Sequence, residues 1–288
     1  MSRIAVQFFG HLRTFEKCFP ALRRYLLNHY DCDIFMHTWD AYNHNTKTWH
    51  KNSRGANKLV NKAKIIKTLG INDDQIIVEH QDVFDTGHFY SDGVEFSIQG
   101  LKSVYHSMKS VNKLREQYQK KHNIEYDCVV CVRPDIMLMK NLDLKKYIAQ
   151  SDYENTVYFG GIVKSDIHEL NGAGACDLLF FGAPKTISKL CNNLKPLVKN
   201  EQKLNHLPEG LLIDNITKNN INCVLLGTYL CNDAFEIERP KQIKISNFIS
   251  LPIDKNGIKL KILAILPHII SFKIKIFNYD LGFFIGGE

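Results

Sequence analysis

No uninterrupted apolar run in the 288-residue chain reaches the roughly 18–20 residues needed to span a bilayer. A membrane-spanning helix is therefore not expected. The opening, Met1 to Val6, lacks the charged, apolar and small-residue regions of a signal peptide and reads instead as a first strand. The expected location is the cytoplasm. Repeats and low-complexity stretches are also missing, so solenoids and disordered tails are not indicated. The eight cysteines have no zinc-site company: the one close pair is Cys128 and Cys131, with no second pair or histidine at ligand spacing. In a strand, positions i and i+3 face opposite ways, which argues further for reduced structural thiols. Acidic residues are absent between Ala41 and Asn72, a stretch that holds Lys47, Lys51, Arg54, Lys58, Lys62, Lys64 and Lys67. It is either a solvated basic loop and helix or a surface that meets phosphate. Two nucleotide signatures are missing as well. The chain has neither G-x-G-x-x-G nor G-x-x-x-x-G-K-[ST], and it lacks the glycine-rich turn after the first strand that marks most methyltransferases.

What remains is an ordinary globular composition. Apolar residues make up 44% and charged residues 23%, with a net charge of +7. Arg3 to Phe9 is apolar and breaks at Gly10, which predicts a buried strand ending in a turn. Helical spacing follows over Phe15 to Tyr30. A second strand is expected over Cys32 to Trp39, a basic helix over Lys58 to Leu69 with Gly70 as its cap, and a short strand over Gln75 to His80. Gln81 to Phe96 reads as a loop. Ser97 to Lys121 is a long amphipathic helix. The run Tyr126 to Val132 suits a strand buried on both faces of a parallel sheet. Later segments predict strands at Thr156–Ile162, Asp177–Gly182 and Ile221–Leu230, and helices at Pro184–Lys199 and Pro208–Lys218. Strands alternating with helices indicate a doubly wound α/β domain over residues 1–235. Residues 236–288 form a C-terminal extension.

Ligands of open α/β sheets bind beyond the carboxyl ends of the strands, so polar residues there come first. After strand one stand Gly10, where backbone approaches a ligand closely, and Arg13, suited to a bidentate phosphate contact or to a surface salt bridge. His37 and Trp39 end strand two, as pocket walls or as core. Arg133-Pro134-Asp135 after the buried strand is the sharpest signal. A carboxylate there is costly unless paired, exposed in a cleft or on a metal. Asp135 is thus a candidate ligand for Mg²⁺ or Mn²⁺ bridging a diphosphate, with Arg133 pairing to it or to phosphate. The alternative is a structural Arg–Asp pair.

Tyr126 to Leu144, YDCVVCVRPDIMLMKNLDL, resembles the central segment of GT-A-fold glycosyltransferases of bacterial lipopolysaccharide and capsule synthesis, in particular the WavE-like group. That group shows an R-x-D-type motif where other GT-A enzymes carry D-x-D. Arg3–Arg13, RIAVQFFGHLR, and Phe35–Trp39, FMHTW, resemble the same group's first two strands. Asn171–Asp177, Phe180–Pro184 and Leu207–Leu212 are similar to its later strand, turn and P-E-x-x-L helix start. The resemblance implies a GT-A-like doubly wound mixed sheet flanked by helices, in a single domain. It implies a nucleotide-sugar donor over the early strands, touched by Gly10 and Arg13, with His37 and Arg133 as further donor-site candidates from their places at strand ends. It puts Asp135 on the diphosphate, with Mn²⁺ or Mg²⁺, and a glycan or glycolipid acceptor opposite. Asp177 and Glu209 are its candidates for the acceptor side; if the reaction inverts the anomeric centre, Asp177 first and Glu209 second would take the acceptor hydroxyl's proton. Each has an alternative: Asp177 as a cap or turn residue, Glu209 as an acid favoured by a helix start. Gln99 and Lys102 read either as facing the donor or as solvated helix residues. Where the first Asp of D-x-D would stand, Arg133 supplies a positive charge, so metal dependence is left open.

Beyond Ile258, Lys259, Lys261, Lys273 and Lys275 are set among apolar residues and suit a helix at an anionic membrane interface, or a packing segment. Two other functions remain in view. One is transfer of a non-sugar, phosphoryl-type group onto a glycan. The other is a non-catalytic phosphate- or nucleic-acid-binding protein, although no nucleic-acid module is recognisable and no nucleic-acid partner is expected.

Overall fold

The computed structural model describes residues 2–44, 58–81, 87–91, 94–160, 162–163, 174–175, 177–194, 208–226, 235–237, 248–250, 261–263, 271–276 and 279–284. The chain divides into two compact units, Met1–Arg239 and Pro240–Glu288.

In the first unit the strands are β1 (Arg3–Phe9), β2 (Asp31–Trp39), β3 (Ile76–Glu79), β4 (His88–Ser91), β5 (Val94–Ser97), β6 (Cys128–Val132), β7 (Ile136–Leu138), β8 (Thr156–Phe159), β9 (Ile162–Val163), β10 (Gly174–Ala175), β11 (Leu179–Gly182), β12 (Asn222–Leu225) and β13 (Phe235–Ile237). The α-helices are α1 (Phe15–Tyr25), α2 (Lys62–Leu69), α3 (Ile98–His122), α4 (Lys145–Ile148), α5 (Pro184–Asn193) and α6 (Pro208–Lys218).

Among the described residues, seven strands form one sheet in the order β12-β8-β11-β6-β1-β2-β3. β3, β2, β1 and β6 run parallel, β11 runs antiparallel to both β6 and β8, and β12 is parallel to β8. This is the mixed, helix-flanked α/β sheet expected from the sequence. The chain steps outward from β1 through β2 to β3, then returns along α3 to place β6 on the other side of β1. The winding direction therefore reverses between β1 and β6.

Period-two alternation divides the core between the sheet's two faces. Ile4, Val6 and Phe8 pack with α1 and α2 residues such as Leu22 and Ile65, while Ala5 and Phe9 pack with α3, α5 and α6 residues such as Met108, Leu190 and Ile216. Cys128 joins the first core and Cys131 the second, as their spacing predicts. Both thiols are free, and burial pushes Cys128 up to about 12. Gly70 closes α2 at φ 69°, as the sequence predicts, whereas the helix starts at Lys62 and not at Lys58, with the Asn61 side chain accepting from Lys64 N–H ahead of it.

Several elements differ from expectation. The Phe15–Tyr30 helix stops at Tyr25 and becomes a 3-10 turn over Leu27–His29. Gln81–Phe96 contains the antiparallel hairpin β4–β5. β13 pairs with β7, so the first unit runs past residue 235. In the second unit, Phe248–Ser250 (β14) pairs with Lys261–Leu263 (β15), and Ser271–Ile276 (β16) with Tyr279–Phe284 (β17). A basic amphipathic helix is thus not what Ser271–Ile276 forms. Phe272-Lys273-Ile274-Lys275-Ile276 alternates with the period of a strand. None of the described helices is long and apolar enough to cross a membrane.

Candidate functional site

The β1–α1 turn and the β6–β7 turn meet where the winding reverses, and helices α1 and α3 cover opposite faces of the sheet there. In open α/β sheets this crevice is where ligands bind.

The β1–α1 turn is built for one geometry. Gly10 has φ 93°, a backbone region that side-chain-bearing residues avoid, and its N–H donates to Ser107 Oγ of α3 at 2.7 Å. Arg13 is also left-handed, at φ 46°, and its N–H donates to the Tyr42 carbonyl at 2.8 Å. A non-glycine residue carries a steric cost of roughly 1–2 kcal/mol in that region. Such strain persists where surrounding bonds over-determine the backbone, and it concentrates at functional sites.

The second turn supplies the charge. β6 ends at Val132, Arg133 N–H donates to the Leu178 carbonyl at 2.9 Å, and Ile136 N–H closes the turn on the Arg133 carbonyl at 3.2 Å. Asp135 is 0% exposed. Arg133 grips it side-on, Nε to Oδ1 at 3.0 Å and Nη2 to Oδ2 at 2.7 Å. Arg13 Nη1 reaches the same Oδ2 at 3.1 Å. Side-chain exposure is 15% for Arg13 and 12% for Arg133, so both side chains are mostly buried but neither is sealed from solvent. The structure thus joins Arg13, Arg133 and Asp135 at one place, with Gly10 three residues before Arg13 in the same turn. The bonding of Asp135 does not fit a metal ligand: both oxygens are engaged by guanidiniums, and an ion would have to displace one.

His37 belongs to a neighbouring cluster on the same strand-end side. It is fully buried and touches Ser107 Oγ through Nδ1 at 2.7 Å. Its Nε2 lies 3.3 Å from Glu79 Oε2 at the end of β3, and His106 Nε2 of α3 lies 2.7 Å from that oxygen. His37, and then His106, hold the Glu79 carboxyl down at about 2, against the upward push of burial. Burial lowers His37, opposed by Glu79. Trp39 is core, as is His37, and stacks on His106 at 5.5 Å. Sequence reasoning missed Glu79 and His106, which come from separate elements and share no spacing.

Asp177 is half-buried and immediately precedes Leu178, whose carbonyl holds Arg133 N–H. Because β11 is antiparallel to β6, its start lies at β6's carboxyl end. The Glu209 backbone begins α6, and its side chain is outside the described residues. Gln99 is buried against Ser103 at 3.3 Å, which rules out a solvated position for it; Lys102 is half-buried. In the basic stretch, residues 45–57 lie outside the described residues. Lys58 sits over the Tyr42 ring, and Lys62 pairs with Asp73 at 2.8 Å.

A family model described as "Domain of unknown function (DUF7796)" matches residues 1–162, more than half the chain and all of both turns. The chain belongs to this family. No curated protein matches. Among solved structures, the chain is similar to the apo-form glycosyltransferase GlyE of Streptococcus pneumoniae TIGR4, with 12% identity and a TM-score of 0.37, over 78% of this chain. It spans 45% of the length of that structure.

Proposed function

We propose that the chain is a nucleotide-sugar-dependent glycosyltransferase acting on a glycan or lipid-linked glycan, of the kind made in bacterial lipopolysaccharide and capsule synthesis. The observation that carries this reading is the convergence of Arg13 and Arg133 on buried Asp135 at the point where the sheet's winding reverses. The ordered resemblance of the flanking motifs to WavE-like enzymes supports it.

In this reading Asp135 is a positioning residue. It fixes two guanidiniums so that they meet the donor's diphosphate, and Gly10 allows backbone to approach the nucleotide. The reaction breaks the bond between the sugar's anomeric carbon and the diphosphate oxygen and joins that carbon to the acceptor oxygen. The acceptor proton passes to a carboxylate, and the bond's electron pair leaves with the nucleoside diphosphate. Preorganised positive charge where negative charge develops on an oxygen lowers a barrier strongly, because the protein need not reorganise as the charge appears. Asp177, adjoining the Arg133 backbone contact, is the first candidate for the base, and Glu209 the second. Arg13 and Arg133 stand in for part of a cation's work on the diphosphate. Contact of the basic and apolar residues beyond Pro240 with an anionic membrane would suit a lipid-linked acceptor.

The test is release of nucleoside diphosphate from a panel of UDP-, GDP- and dTDP-sugars, with bacterial glycolipid extract as acceptor. Turnover of one nucleotide class by wild type, reduced about 10²–10³-fold in Arg133→Lys as for loss of an oxyanion donor, supports the reading. No turnover of any donor, with or without Mn²⁺, counts against it.

A further inference from the structure

We infer that His37, Glu79 and His106 form a binding site for one divalent transition-metal ion of the Zn²⁺ class, distinct from the Arg13–Asp135–Arg133 cluster. One candidate ligand atom from each residue, two imidazole nitrogens and a carboxylate oxygen, lies within 4.8 Å of the others. Around a tetrahedral ion with such ligands at about 2.0–2.1 Å, ligand atoms stand about 3.3–3.4 Å apart. The His37 Nε2 to Glu79 Oε2 separation is 3.3 Å. The His106 Nε2 to Glu79 Oε2 separation is 2.7 Å and has to open by a rotation of half-exposed side chains.

The hydrogen bonds of His37 point the same way. Ser107 Oγ accepts from Gly10 N–H at 2.7 Å, and its own hydrogen is directed to the His37 carbonyl at 3.4 Å. His37 Nδ1 lies 2.7 Å from Ser107 Oγ, and which of the two donates depends on the imidazole tautomer. With Nδ1–H donating, Nε2, a buried atom 3.3 Å from the Glu79 carboxylate, is free to ligate an ion. A ligating imidazole whose other nitrogen is fixed by a hydrogen bond is the usual support for a bound metal. Trp39 packs its ring beside both imidazoles, 5.0 Å from His37 and 5.5 Å from His106.

Glu79 and His106 are 39% and 38% exposed, so the ion's fourth position faces solvent, where water or a substrate oxygen can bind. Three protein ligands with an open position is the pattern of a reactive rather than a purely structural zinc site. Ser110 Oγ, 3.3 Å from His106 Nε2, competes for that nitrogen and has to yield when the ion binds.

The experiment is a titration of the metal-free full chain with Co²⁺, followed by visible absorption, with Zn²⁺ as competitor. Far-UV circular dichroism before metal addition confirms that each variant is folded. Wild type is expected to develop a ligand-field band that saturates at one equivalent and is abolished by Zn²⁺. The band should be lost in His106→Ala and in Glu79→Gln. Ser107→Ala, which touches no ion, should weaken affinity by about 10–100-fold through the freed His37 ring. Absence of a saturating band in wild type overturns the site. So does a band of equal affinity in folded His106→Ala, which would report other surface histidines. The readout involves no nucleotide and is independent of the glycosyltransferase reading.

Discussion

Arg13 and Asp135, 122 residues apart in sequence, are joined by a 3.1 Å bond across the crevice between the first and the central buried strand. The carboxylate is fully buried and Arg133 holds it from the other side. Removing the carboxylate leaves two mostly buried guanidiniums facing each other, whereas removing Arg13 leaves the side-on Arg133–Asp135 pair intact. Asp135→Ala should therefore destabilise the fold by about 3–5 kcal/mol, the usual cost of breaking a buried pair. Arg13→Ala should cost clearly less. Urea unfolding of both variants orders them, and equal losses would show that Arg13 contributes to the cluster as much as the carboxylate itself.

Acid should weaken the protein well above the carboxylate range. Burial, opposed by a bond to the Ala41 carbonyl, holds His11 down at about 3, against 6.5 when unfolded. Between these values the unfolded chain binds a proton that the folded chain refuses, so stability falls as pH falls from about 6.5 towards 3. The slope for one such group is about 1.4 kcal/mol per pH unit. Lowered His37 acts with the same sign. Unfolding free energies at pH 7 and pH 5 should differ more for wild type than for His11→Gln.

Glycine at 182 is set by packing. A Cβ there would stand 2.7 Å from the Thr156 carbonyl oxygen of the neighbouring strand, a backbone atom that cannot yield cheaply. Gly182→Ala should destabilise by about 1–3 kcal/mol, the range for overpacking. Denaturant midpoints check this, and an unchanged midpoint would mean that strands β8 and β11 separate locally.

The buried thiols should be silent in the native state. Cys128 and Cys131 lie within the sheet, one in each core, and burial pushes both thiols up. Maleimide labelling at pH 8 with peptide mapping should leave both unmodified until denaturant is added. Rapid native labelling of Cys128 would contradict the assigned strand.

The parts of this fold legible in sequence are those with a local cause. The apolar runs of β1 and β6 and the Gly70 stop each announce themselves within a few residues. So do Arg13 and the Arg133–Asp135 pair, because charge at the end of an apolar strand has few explanations. The β4–β5 hairpin has a signal that its polar and aromatic surroundings mask: Asp92-Gly93 stands between His88–Ser91 and Val94–Ser97, and that dipeptide favours tight hairpins. The alternation of Phe272 to Ile276 is likewise that of a strand. Glu79 and His106 are not legible in this way. Each looks like a solvated residue on its own element, and only the β2–β3 register and the packing of α3 across it bring them to His37.

The central claim is that the guanidiniums of Arg13 and Arg133 bind a nucleotide diphosphate without a metal on Asp135. Thermal stability of wild type and Arg13→Ala should be followed with UDP, GDP and dTDP, in EDTA and in Mn²⁺. One nucleotide class should stabilise wild type in EDTA, by about 2.7 kcal/mol at a hundred times its dissociation constant. Folded Arg13→Ala should lose most of that gain. No stabilisation of wild type by any nucleotide, or stabilisation of Arg13→Ala equal to that of wild type, would contradict the account.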